Sequence, residues 1–336
     1  MARKEDDEFG LLSHLDELMD ELHDNVPKAI REFDVDGIHD ARVATRRLKA
    51  ALGLLKGILS DDHRTGFDKV LRKIRRRLGP LRDMDVMIEH LEKLESHPTQ
   101  GAAATWLKTH LHQQRDDERA ESKEKAGSAD LLSKLGAWWH VREEIVDARE
   151  SVDSLLAQSL HLQLDAFVER AEGIVRQLSR EAPAKERQDP HELRIAGKLL
   201  RYTLELAQSE GHDLPAAVLR EFKRMQELLG NWHDDVVLIQ CAMQMSLDDQ
   251  LSYHDLEMQE RILDLSRFFL RRASKELSNF SSHWKKRGAD VTRTIRERFP
   301  LTTPVQVNEL KTGPDPAGSN GTPAPATSAP DVASTA

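Results

Sequence analysis

Apolar residues recur along most of the chain at intervals of three and four positions, which is the period of an amphipathic α-helix. The pattern begins near residue 9 and returns in successive segments as far as residue 298. None of these segments has the strict alternation of apolar and polar residues that is typical of a strand. The sequence therefore predicts an all-α protein.

Capping residues, glycine and proline divide this pattern into separate helices. Gly79-Pro80 is expected to end one of them, since glycine suits a helix C-terminus and proline cannot continue the hydrogen-bond ladder. Asp36 or Gly37 is the expected N-cap of the second helix, and Asp189 that of the helix starting at 190. The predicted helices span 9–33, 38–59, 64–78, 82–95, 101–125, 130–147, 151 to a polar linker at 183–190, 190–208, 214–229, 251–275 and 276–298.

The two ends of the chain differ in composition from the helical part. Residues 1–9 are predicted to form a charged N-terminal tail, and 10–298 the helical domain. Seven of the 13 prolines lie at or after Pro300, among alanine, threonine, serine and glycine. A segment with so few large apolar residues cannot bury a core, so 299–336 is predicted to be disordered.

The hydrophobic pattern, the cysteine count and the net charge indicate the expected cellular compartment and exclude some partners. No apolar run approaches the roughly 18–20 residues that span a bilayer, and the charged N-terminus lacks the apolar core of a signal peptide. We therefore expect a cytoplasmic protein with no membrane partner. The single cysteine, Cys241, excludes an intramolecular disulfide, and its apolar context favours a buried small residue over a catalytic thiol. The formal net charge of −9 argues against a general nucleic-acid coat protein.

Positive charge is nevertheless concentrated on one face of the helix predicted at 38–59. His39, Arg42, Arg46 and Lys49 are spaced i, i+3, i+7 and i+10, which places them within an arc of roughly 80°. Arg47 adds a further cation on this helix, and small and leucine residues cover the opposite side. A row of like charges is stable only beside something anionic, either acidic side chains or a ligand.

A similar row of basic residues occurs about 150 residues later in the chain. His191 follows His39 by 152 residues and begins a second row of cations, completed by Arg194, Lys198 and Arg201. A shift of 151 carries Gly79 onto Gly230 and Asp83 onto Asp234. It also relates two further basic helix faces, one with Lys69, Arg72, Lys73 and Arg76, the other with Arg220, Lys223 and Arg224.

This repeat predicts two homologous halves of about four to six helices each, at 10–150 and 151–298. If the halves pack face to face across a pseudo-two-fold axis, their basic rows converge on a shared groove or pore. A lone basic face is usually a solvated surface, but two repeated faces with two further basic helices in register favour an anion site. The partner would have to be long or multivalent enough to touch both halves.

The residue types in these rows suit phosphate. Arginine offers a planar fork for two hydrogen bonds to an oxyanion, and lysine offers a mobile point charge. His39 and His191 are expected in the first turn of their helices, where free N–H groups favour an anion. Asp83 and Asp234, which follow the glycines, are interpreted as helix caps or as carboxylates that orient an arginine, rather than as metal ligands.

The segments IHDARVATRRLKAAL and HELRIAGKLLRYTLEL, each followed by a basic helix and a Leu-Gly…Asp turn, resemble the two halves of the CHAD family, a helical domain with recurrent histidines. The resemblance covers 10–298 and implies two four-helix-type bundle halves that line a basic central cavity. It also implies binding of inorganic polyphosphate, often at polyphosphate granules. Members can carry a triphosphate-tunnel domain, and this chain resembles a stand-alone member. Two positions depart from the pattern: Leu199 stands in the place of Arg47, and Glu227 in that of Arg76.

No catalytic or metal-binding pattern accompanies these features. The chain has no HExxH motif, no cysteine cluster and no glycine-rich phosphate loop before a lysine. We therefore expect a non-catalytic binder of polyphosphate or a similar linear polyanion, with no cofactor and no metal. Two alternatives stay open: a metal-dependent phosphohydrolase or an accessory to a polyphosphate- or triphosphate-processing enzyme, and a nucleic-acid or granule-surface scaffold.

Overall fold

A computed structural model describes residues 9–124, 128–179, 188–247 and 255–301. The chain is helical throughout these ranges, and they contain no strand, as predicted. The described ranges contain ten α-helices: α1 Gly10–Pro27, α2 Val35–Leu54, α3 Asp61–Glu92, α4 Gly101–Glu124, α5 Ser128–Leu135, α6 Trp138–Asp147, α7 Val152–Leu178, α8 Pro190–Ser209, α9 Ala216–Ser246 and α10 Leu256–Arg298.

Aspartates define the starts of the two helices that carry the basic rows. The carboxylate of Asp34 accepts a hydrogen bond from the backbone N–H of Gly37 at 2.7 Å, so α2 begins at Val35 and the predicted cap at Asp36 or Gly37 is wrong. Asp34 takes this role because its backbone is still extended, as an N-cap requires. In α8, Asp189 accepts from the backbone N–H of His191 at 2.8 Å, which is the predicted cap.

The helix ends predicted at glycine are wrong. α3 continues through Gly79 and Pro80 to Glu92, and α9 continues through Gly230 to Ser246. Proline removes only one hydrogen bond from the ladder. Apolar side chains on both sides of it, Leu78 and Leu81, are buried in the core and hold the two parts of α3 to the same neighbours.

Two other predicted boundaries also change. The segment predicted as one helix at 130–147 is divided into α5 and α6 by a turn at Gly136. Conversely, the segments 251–275 and 276–298 form one continuous helix, α10, from Leu256, while 251–254 lie outside the described residues. Apolar residues keep the helical period across the expected break, so nothing in α10 stops the ladder.

A single apolar core unites the helices. The side of α2 opposite its basic row is buried, including Ala41, Ala44, Leu48 and Ala51. Phe9 and Phe299, at the borders of the predicted tails, are also buried. The rest of those tails, 1–8 and 302–336, lies outside the described residues. No described helix is sufficiently long and apolar to cross a membrane.

The packing order of the helices positions the basic rows. In the first part of the chain α1 packs on α2, α2 on α3 and α3 on α4; in the second part α7 packs on α8, α8 on α9 and α9 on α10. The two parts contact each other through α2 with α8, α3 with α9 and α4 with α10, and also through α1 with α8 and α2 with α7. The helix that carries His39 therefore lies directly against the helix that carries His191.

Candidate anion-binding site

Arg42 is the most deeply placed cation of the α2 row. Its side chain is buried, its Nη1 donates to the backbone carbonyl of Arg75 at 3.2 Å, and its Nη2 lies 3.6 Å from a carboxylate oxygen of Asp83. Burial, followed by the positive charge of Arg46, lowers the pKa of Arg42 to about 10, so the group stays charged at neutral pH. Asp83 lies inside α3 and faces this arginine, so its interpretation as a helix cap is wrong.

The glycine at position 79 provides the space for that guanidinium. A Cβ atom added to Gly79 would lie 3.0 Å from Nη1 of Arg42. A Cβ added to Gly230, its counterpart in α9, would meet no heavy atom within 4 Å. The Leu-Gly motif of α3 therefore lies inside the helix and leaves space for the guanidinium of Arg42.

This difference gives a matched pair of variants. Gly230→Ala should raise the free energy of unfolding by about 0.5–1 kcal/mol, because alanine favours a helix interior over glycine and the site is open. Gly79→Ala should give a smaller gain or a loss, because the new methyl group displaces Arg42. Urea denaturation of both variants checks this; equal gains would show that Gly79 is not needed for the placement of Arg42.

The charge of Arg46 in the first basic row acts on the second row, since α2 packs against α8. Its positive charge lowers the pKa of both Arg194 and Lys198 on α8, after the larger effect of burial on each. The Nε of Arg194 is buried and has no hydrogen-bond partner among the described residues. Three cations of two different helices are thus gathered at one place, with the carboxylate of Asp234 as an opposing charge.

Lys198 has the most perturbed charge of this group. Burial, followed by the charges of Arg194 and Arg46, lowers its pKa to about 6, while Asp234 opposes the shift. The amine is therefore largely neutral at pH 7 in the free protein. An anion placed beside it would favour its protonated form.

A cavity of about 180 Å³ opens beside these residues on the α8–α9 side. Its cationic lining residues come from two helices that were predicted to contribute to the site. Gln226 also lines it, donating from Nε2 to the backbone carbonyl of Gly197 and accepting from Nη1 of Arg201 at 3.4 Å. The full lining consists of Arg194, Lys198, Arg201, Lys223, Gln226, Glu227 and Leu229.

Histidines from both parts of the chain surround Asp234. The rings of His191 and His233 stack with centroids 5.2 Å apart, and Nδ1 of His233 lies 3.4 Å from Oδ1 of Asp234. His90, from the far end of α3, lies 3.9 Å from the other oxygen. Burial is the largest cause that lowers the pKa of both His90 and His233.

His90 and His233 are not among the site residues predicted from the sequence. His233 is adjacent to Asp234 in the repeated motif, which could have indicated it, but nothing in the sequence links His90 to that position. In the described part of the chain, no group of three or more histidine, cysteine or acidic residues could hold a metal ion. Asp234, like Asp83, lies inside a helix, so its interpretation as a cap is also wrong.

The two predicted histidines differ in position. His191 lies in the first turn of α8, as expected, whereas His39 is the fifth residue of α2 and exposed. Partial desolvation, followed by the charge of Arg82, lowers the pKa of His39. The expectation that His39 lies in the first turn is wrong because α2 begins three residues earlier than predicted.

Other predicted ligand residues lie away from this cluster or are paired with acids. Lys69 and Lys73 line a separate cavity of about 490 Å³ between α3 and α5. Arg72 and Lys73 pair with Asp68 and Asp130, and Arg224 pairs with Glu227. The exposed cations of the predicted set are Lys49, Lys69, Lys73, Arg76, Arg220, Lys223 and Arg224, of which Lys223 lines the smaller cavity.

Fold and site together define an all-helical protein in which cations from two successive helical units meet at one place. The model of the CHAD domain matches residues 13–242, and the chain belongs to this family. A solved structure described as the crystal structure of the CHAD domain from the plant Ricinus communis is 19% identical, with a TM-score of 0.54. It covers 88% of this chain and 92% of its own, and shows the same fold. No curated protein matches the sequence.

Proposed function

We propose that the protein binds inorganic polyphosphate, without catalysis, at the place where the α2 and α8 basic rows meet. CHAD domains in general are linked to the binding of polyphosphate or triphosphate. The observation that carries the proposal for this chain is the packing of α2 against α8, through which the charge of Arg46 acts on Arg194 and Lys198. An anion that contacts all three side chains, and that favours the protonated form of Lys198, would be held between the two parts of the chain.

We infer that these parts are homologous halves related by a pseudo-two-fold axis. The inference is supported by the contacts between the parts. α2 with α8, α3 with α9 and α4 with α10 join helices at corresponding positions, and the contact of α1 with α8 has its counterpart in the contact of α7 with α2. The inference is also supported by one ion pair in each part, between the third and fourth helices. Asp85 pairs with Arg115 at 2.5 Å, and Asp235 with Arg272 at 3.1 Å.

The electrostatic state of the free protein favours an anionic ligand. Arg42, Arg194 and Lys198 all have a pKa lowered chiefly by burial, so their charged forms lack the solvation that water would give. Phosphate oxygens replace that solvation with charge-assisted hydrogen bonds. The unpartnered Nε of Arg194 supplies one such donor.

A linear ligand fits this arrangement better than a compact one. The cations extend along two contacting helices, and polyphosphate carries negative charge on every unit of its chain. Each cation that it engages releases a condensed counterion, as for nucleic-acid backbones, so affinity should fall steeply with salt. Association with polyphosphate granules in the cytoplasm would follow from this binding and is part of the proposal.

Filter binding with long-chain polyphosphate tests the proposal directly. We expect saturable binding that weakens as the salt concentration is raised. Tripolyphosphate should compete with the long-chain ligand for the same site. RNA and duplex DNA of matched charge should displace the ligand only at far higher concentration, because the chain as a whole carries a formal net charge of −9 and repels a broad polyanion. Equal competition by nucleic acid would favour the scaffold alternative, and absence of binding would reject the proposal.

The enzymatic alternative is tested by measuring phosphate release. Incubation of the purified protein with polyphosphate and Mg²⁺ or Mn²⁺ should release no phosphate. This expectation is supported by the described residues, among which no group of three or more histidine, cysteine or acidic side chains could hold a metal ion. Phosphate release that persists through repeated purification would establish a hydrolase.

A further inference from the structure

One carboxylate lies between the two basic rows. Nε of Arg47 on α2 donates to Oε2 of Glu205 at 2.9 Å, and Nε of Arg201 on α8 lies 3.0 Å from Oε1 of the same side chain. Both arginines were predicted to bind the ligand, and Arg201 also lines the 180 Å³ cavity. A single glutamate thus engages one predicted ligand cation from each part of the chain.

Glu205 continues the basic row of α8 along the same face. Arg194, Lys198, Arg201 and Glu205 are spaced i, i+4, i+7 and i+11, which confines them to an arc of roughly 60°. The position 152 residues earlier is Gly53, where an added Cβ would meet no heavy atom within 4 Å. The first row therefore ends in open space, while the second ends in an acid.

We propose that Glu205 is a built-in competitor for the anion site, occupying Arg47 and Arg201 until a polyanion displaces it. The inference rests on the proposed function, and it identifies a residue that sets affinity rather than one that binds the ligand. In the free protein the carboxylate contacts both guanidinium groups and offsets part of their positive charge. In the complex, phosphate oxygens take its place.

The partial exposure of the three side chains allows a ligand to displace Glu205 from the two arginines. Side chains of Arg47, Arg201 and Glu205 are 27%, 40% and 25% exposed, so water and a ligand can reach the pair. Ion pairs that are partly exposed contribute little to stability, and a polyanion offers many charges against one. Displacement is therefore feasible without opening the apolar core beneath.

Glu205→Gln tests this role. The amide keeps the size of the side chain and removes its charge, so polyphosphate should bind roughly three- to tenfold more tightly than to the wild type, as expected for the loss of two weak ion pairs. The slope of log K against log salt should also become steeper, because two more cations exchange counterions. Glu257→Gln is the matched control: Glu257 pairs with Arg261 at the same i, i+4 spacing on the exposed side of α10, and its loss should change affinity less than twofold.

The outcomes separate this inference from the proposed function. If the wild type binds polyphosphate and Glu205→Gln binds equally or more weakly, with a lower melting temperature, Glu205 is a structural bridge and the competitor role is rejected. If neither protein binds polyphosphate, both proposals are rejected. Glu205→Asp provides a second variant: it keeps the charge but is one methylene shorter and cannot reach both arginines, so a smaller tightening is expected, and none would contradict the competitor role.

Discussion

Changing Arg42, Arg46, Arg194 and Lys198 together to glutamate is expected to weaken polyphosphate binding by at least about 100-fold at moderate salt. Each substitution removes one released counterion and adds a repulsive charge at the place where the two rows meet. Burial is the largest cause that lowers the pKa of Arg42, Arg194 and Lys198, so these three meet the ligand in a medium where charge is poorly screened. Filter binding at several salt concentrations measures the loss.

A matched control separates the site from net charge. Reversal of four exposed cations on α10, namely Arg261, Arg267, Lys286 and Arg293, changes the net charge of the protein by the same amount and should leave affinity within a few-fold of the wild type. Circular dichroism should show that both variants stay helical. Undiminished binding by the variant with four changes at the site would reject the assignment of Arg42, Arg46, Arg194 and Lys198. An equal loss of affinity in both variants would show that binding depends on net charge and not on this site.

Affinity for polyphosphate should also fall as the pH rises above about 6. The pKa of Lys198 is lowered to about 6 in the free protein, and a bound polyanion raises it, so binding takes up a proton wherever the pH lies between the two values. The groups that act on Lys198 are Arg194, Arg46 and Arg201, which disfavour its charge, and Asp234, which favours it. The limiting slope for one proton is a tenfold weakening per pH unit.

Lys198→Arg isolates this contribution. Arginine keeps its charge across the range, so the variant should show a flatter dependence of Kd on pH between 6 and 9 and should bind more tightly than the wild type at pH 8. The histidines with a lowered pKa, His39, His90 and His233, should leave a residual dependence at the acidic end of that range. Calorimetry in buffers of different ionisation enthalpy measures the proton uptake, and identical uptake by both proteins would contradict the role of Lys198.

The parts of the fold that the sequence predicted are those governed by periodicity. The three- and four-residue spacing of Ala41, Ala44 and Leu48 determines which side of α2 enters the core, and all three residues are buried. The cap at Asp189 follows from local chemistry alone, because its carboxylate needs only the N–H two residues further on. The similarity between the segments at His39 and His191 predicts that their two basic rows converge. The two helices that carry these rows, α2 and α8, contact each other.

The errors arose where tertiary packing outweighs local preference. Gly79 and Pro80 are strong signals of a helix end, but buried leucines on both sides keep α3 continuous, and the glycine instead makes room for Arg42. Ion pairs between residues far apart in the chain could not be predicted from the sequence either. Glu205 and Arg47 are 158 residues apart, so no spacing rule could show that one acid engages a cation from each basic row.

The joint use of both rows can be tested by soaking tripolyphosphate into crystals of the protein. We expect one ligand whose phosphate oxygens lie within hydrogen-bond distance of Arg46 on α2 and, at the same time, of Arg194 or Lys198 on α8. Glu205 should have moved away from Arg47 or Arg201 wherever the ligand reaches them. A ligand held by one row alone, or found only in the 490 Å³ cavity beside Lys69 and Lys73, would contradict a shared site.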